Sequence, residues 1–85
     1  MNKFEILKIN FDMVKKDLQN NSIDLYVAKI ELQTIVFKMT DLIKTCENSE
    51  MIDFLHNVKK LLDEVNANIS ILTAQEYFNS HNEEI

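Results

Sequence analysis

The chain has 85 residues, and a domain of that size buries only about 60% of the surface its unfolded chain exposes, so its core is marginal and gains from a partner. Nine Lys and no Arg against fourteen acids give a net charge of −5, which disfavours nucleic-acid binding because phosphate recognition needs a basic face. With no Gly and no Pro, neither the tight turns of sheet proteins nor Gly-rich phosphate loops, dinucleotide fingerprints and serine elbows can be written.

These exclusions leave an all-α chain, because helices can end on Asn, Ser and Asp alone. The expected fold is a small three-helix bundle, or a helical hairpin plus an N-terminal helix, with antiparallel neighbours and coiled-coil-like seams. One domain spans residues 1–78 and a polar tail follows at 79–85. No run of eighteen apolar residues occurs, so no membrane span is expected. The N-terminus carries an acid and reaches no long apolar run, so it lacks a signal-peptide pattern and the expected location is cytoplasmic.

The first helix is predicted at about 2–19. Phe4, Leu7, Phe11, Val14 and Leu18 recur at steps of three and four and form one core-facing stripe. Lys8, Asp12, Lys15 and Lys16 fall on the far side and read as a solvated face. Ile6, Ile9 and Met13 form a second apolar patch more than a quarter-turn from the first. They are either half-covered rim residues or a dimer or partner surface.

The second helix, at about 22–46, is the central element. Leu25, Ala28, Leu32, Ile35, Met39, Leu42 and Cys46 alternate by three and four along it. Ile23, Tyr26, Val27, Ile30 and Phe37 occupy the opposite side, and a helix apolar nearly all round is expected to be buried between two neighbours. Asn21 is the expected N-cap, with Asp24 in the first turn. On this pattern Cys46, the one cysteine, is a small buried hydrophobe, and the leftover apolar surface lies on the first helix.

The segment 47–50 interrupts the period and offers Asn48 or Ser49 as a cap, although one continuous helix is an alternative there. The third helix, about 50–73 or longer, carries Met51, Leu55, Val58, Leu62, Val65, Ile69 and Leu72 in a seam. Thr73 with Glu76 either caps a short extra turn or lies within a continuing helix. Tyr77 and Phe78 near the chain's end either fold back as a lid, which is the expectation, or face a partner.

Chemistry is thin. Cys46, His56 with Asp53, and His81 with Glu84 are at most doublets of metal ligands, so no metal or cofactor is expected. The carboxylate pairs sit at turns, on an exposed face or in the tail, with no cleft implied. The acids read as dispersed, not gathered in a patch. The expected function is therefore non-enzymatic: an acidic helical adaptor or chaperone-like module that binds an amphipathic segment of another protein. Candidate contact residues are Ile6, Ile9, Met13, Tyr77 and Phe78. The alternatives are a cognate inhibitor or immunity-type protein and a self-assembling helical subunit, with a homodimer among the partners.

Overall fold

The structure, a computed structural model, describes residues 2–82, with side chains through Ser80. It contains α1 (Lys3–Gln19), α2 (Leu25–Thr45) and α3 (Ser49–Asn82), and the described residues include no strand. The chain is an all-α three-helix bundle, as its composition and periodicity predict.

Short polar side chains start every helix by accepting from orphan backbone N–H groups. Asn2 Oδ1 accepts from Glu5 N–H at 2.8 Å, Asp24 Oδ1 from Tyr26 N–H at 2.8 Å, and Asn48 Oδ1 from Glu50 N–H at 2.8 Å. Asp24, not Asn21, caps α2, because Asn21 is needed to end α1. Its φ of 55° lies in the left-handed region. Asn21 N–H donates to the Leu18 carbonyl at 3.3 Å and Ser22 N–H to the Asp17 carbonyl at 2.9 Å, the paired bonds of a Schellman ending. In a chain without Gly, Asn is the residue that tolerates this position best. The start of α2 is consequently delayed from the expected residue 22 to Leu25.

The other end of α2 also differs from expectation. The helix stops at Thr45, and Cys46 leaves the helical conformation with φ −150° and ψ 88° while its N–H still donates to the Leu42 carbonyl at 3.0 Å. The four-residue step from Leu42 to Cys46 therefore does not carry the thiol onto the buried seam, and Cys46 is exposed. Residues 46–48 separate α2 from α3, so the two helices are not continuous.

The core is a single seam. Leu7, Phe11 and Val14 from α1, Ala28, Leu32, Ile35 and Met39 from α2, and Val58 and Val65 from α3 are its buried side chains, and Leu32, Met39 and Val58 are wholly enclosed. Helices α1 and α3 both run antiparallel to α2 and meet each other at their N-terminal ends. There Phe54 stands edge-on to Phe4 and Phe11, with ring centroids 5.5 and 5.3 Å apart. Lys8, expected in a solvated face, is half-buried beside this cluster: its Nζ lies 4.5 Å from the Phe4 ring centre and 3.6 Å from Glu50 Oε1.

Because both neighbours pack on one side of α2, its second apolar side is not buried. Ile23 is partly covered at the α1–α2 link, but Tyr26, Val27, Ile30 and Phe37 are exposed, Phe37 to 70%. The expectation of a helix sandwiched on two sides is thus corrected, and so is the confinement of leftover apolar surface to α1.

Helix α3 has 34 residues against 21 in α2, and at about 1.5 Å per residue it outruns the bundle. Every residue from 70 to 80 is exposed. The helix passes straight through Thr73, whose Oγ1 donates back to the Ile69 carbonyl at 2.9 Å, so no separate capped turn forms. Tyr77 and Phe78 stay on this projecting end, 63% and 65% exposed, and do not fold back as a lid. The expected polar tail is helical as far as Asn82; Glu83, Glu84 and Ile85 lie outside the described residues, and the His81–Glu84 doublet falls outside the described side chains.

Two outcomes separate the buried side of α2 from the open one. Leu32→Asp should abolish the helical circular-dichroism signal at 25 °C, because it buries an unpaired charge in a wholly enclosed site. Phe37→Asp should leave the melting transition within about 0.5 kcal/mol of wild type, as for ordinary surface changes. For Cys46, a thiol reagent should label the native chain as fast as it labels the denatured chain, and strong native protection would contradict its exposed position.

Candidate protein-binding face

The antiparallel packing of α1 on α2 leaves a groove along their common edge. At one end it is lined by Lys3, Ile6, Asn10, Lys38, Asp41 and Thr45 and encloses about 520 Å³. At the other it is lined by Met13, Asp17, Ile30, Glu31 and Thr34 and encloses about 330 Å³. Leu7, Asn10 and Lys38 line both parts, so the two form one continuous channel. It follows α2 from Thr45 back to Ile30, roughly four helical turns or about 22 Å.

The floor of the channel is the edge of the core, at Leu7, Val14, Ile35 and Leu42. Its walls carry Ile6 and Met13 of α1 and Ile30 of α2, set among polar side chains such as Asn10, Thr34, Lys38 and Asp41. Met13 is 59% exposed and Ile30 62%, and they line the same part of the groove from opposite helices. Phe37 and Tyr26 lie seven residues after and four before Ile30, which puts them on the same outward side of α2.

Charge along the channel is graded. Lys3 balances Asp41 at one end, Lys38 sits midway where the two parts join, and Asp17 and Glu31 make the other end acidic. The whole chain is divided as well. Residues 1–46 carry seven Lys and six acids, whereas residues 47–85 carry two Lys and eight acids. The acids are therefore spread along the whole chain while the lysines gather in its first half, and the grooved face belongs to the half without excess negative charge.

Of the residues singled out from sequence, the structure brings Ile6 and Met13 to this groove, with Ile9 exposed beside them on the outer side of α1. Tyr77 and Phe78 belong elsewhere, on the projecting end of α3. The groove residue missed was Ile30, which periodicity had assigned to a buried side together with the equally exposed Phe37, Tyr26 and Val27. The sequence does show this side turning polar past Phe37 at Asp41 and Lys44, and Gln33 interrupts it earlier, whereas no polar residue interrupts Ala28, Leu32, Ile35 and Met39.

A second groove of about 730 Å³ separates the α1–α2 link from α3, with Leu18, Ile23 and Leu25 facing Leu61, Val65 and Leu72. Among the described residues no three His, Cys, Asp or Glu side chains gather as metal ligands, and no helix is long and apolar enough to cross a membrane. No family model, curated protein or solved structure matches the chain.

Proposed function

We propose that the protein is a non-enzymatic adaptor or chaperone-like module that holds an amphipathic helix of another protein in the α1–α2 groove. The observation that carries this reading is the open apolar channel walled by Ile6 and Met13 on one side and Ile30 on the other. A helix laid in such a groove contributes anchors at steps of three and four, and a channel of about 22 Å accepts four turns.

The charge gradient specifies the partner further. Helices favour acids in their first turn and bases in their last. A partner helix so charged fits with its basic C-terminal turn at the acidic end, Asp17 and Glu31, and its acidic N-terminal turn at Lys3. It then runs parallel to α1 and antiparallel to α2. A second reading, an inhibitor-type protein acting through acidic surface, draws on the eight acids of residues 47–85.

A synthetic amphipathic helix of four turns, acidic at its start and basic at its end, tests the first reading. Wild-type chain should bind it, and the Met13→Ser, Ile30→Ser double variant should bind about tenfold or more weakly while keeping its helicity. A peptide with the two charged ends exchanged should also bind more weakly. Equal affinity of wild type and double variant would refute the groove, and affinity for a basic surface lost only on neutralising the α3 acids would favour the inhibitor reading.

A further inference from the structure

The projecting end of α3 carries a second seam that the bundle does not use. The core-facing positions run Met51, Leu55, Val58, Leu62, Val65, Ile69 and Leu72, and the next two members of that series are Glu76 and Asn79, both polar and exposed. The inward seam therefore ends where α3 leaves its neighbours. On the opposite side of the helix a different series begins: Ala67, Ile71, Ala74 and Phe78, spaced four, three and four. All four are exposed, and Ile71, Ala74 and Phe78 line one shallow depression on the helix surface.

We infer that this outward seam pairs antiparallel with the same seam of a second copy of the chain. Small and large residues alternate along it. A two-fold axis between Leu72 and Thr73 sets Ala67 against Phe78 and Ile71 against Ala74 of the other copy, and the converse, so each of four layers joins one small and one large side chain. Parallel pairing instead stacks Ala on Ala and Phe on Phe, alternating voids with collisions. Antiparallel layering thus fits the seam and parallel layering does not.

Electrostatics agree with this occupant. The chain is acidic, yet residues 65–75 contain no charged residue, and Glu76, the one charged residue between Ala67 and Phe78, belongs to the opposite series of the helix, so the paired seams carry no charge. Four layers span only about 17 Å of helix and bury on the order of 800–1,000 Å² in total, below the roughly 1,200 Å² of stable specific interfaces and in the range of weak, transient ones. The dimer is accordingly a concentration-dependent one.

Sedimentation of the full chain across concentration, with Cys46→Ser chains for cross-linking, tests the pairing. Wild type should pass from monomer to dimer as concentration rises. Ile71→Asp and Phe78→Asp should each raise the midpoint tenfold or more with helicity retained, since both sites lie outside the core. Mixing Ala67→Cys chains with Phe78→Cys chains should give a disulfide-linked heterodimer, whereas neither alone should cross-link. A wild-type monomer at several hundred micromolar, a dimer insensitive to both charge substitutions, or cross-linking of Ala67→Cys chains by themselves would overturn the inference. Binding of the amphipathic peptide to the α1–α2 groove should be unchanged by Ile71→Asp, which keeps the two surfaces separable.

Discussion

The constraint on which the structure depends is that one side of α2 receives both of its neighbours. Ala28, Leu32, Ile35 and Met39 form a single narrow seam, and α1 and α3 converge on it from the same direction. Convergence is fixed by the aromatic contact of Phe54 with Phe4 and Phe11, which ties the two outer helices to each other. Had α1 packed on the far side of α2, Ile30 and Phe37 would be core. Because it does not, they are surface, and the α1–α2 groove follows from the same choice.

A small core explains why surface and interior compete in this chain. Among the described residues nine side chains are buried, too few to enclose every apolar residue in a sequence that is 46% hydrophobic. The surplus is not scattered. Part of it lines the groove, at Ile6, Met13 and Ile30, part lies beside it at Ile9, Tyr26, Val27 and Phe37, and part forms the outward seam of α3. On the proposed reading, in which α1 and α2 hold a partner helix and α3 pairs two copies, an assembly presents two grooves, which would raise apparent affinity for a partner that carries the recognised helix twice.

Much of the fold was legible because helix periodicity and the lack of Gly and Pro leave few alternatives. The three stripes containing Leu7, Leu32 and Val58 are read directly from their spacing, and all three residues are buried. What spacing does not carry is which of two apolar sides a neighbour covers, since Ile30 and Ile35 are chemically alike and differ only in tertiary context. Local chemistry decided the ends. Asn21 went to a left-handed turn instead of a cap, and Cys46 fell one residue beyond α2, which reversed its expected burial. At the candidate site, Ile6 and Met13 were legible as surplus on α1, whereas their partners on α2 appear only once α1 is docked.

The central claim is that one seam, with its centre at Leu32, Met39 and Val58, holds the bundle together while the outward faces of α2 and α3 contribute little to folding. Native-state amide hydrogen exchange on the dilute full-length chain tests it most directly. The account predicts the slowest exchange, governed by global unfolding, at the α2 amides from about 32 to 39 and the α3 amides from about 58 to 65, with exchange quickening steadily beyond Leu72. Slowest exchange in α1 or in the projecting end of α3, or uniform fast exchange through α2, would contradict it.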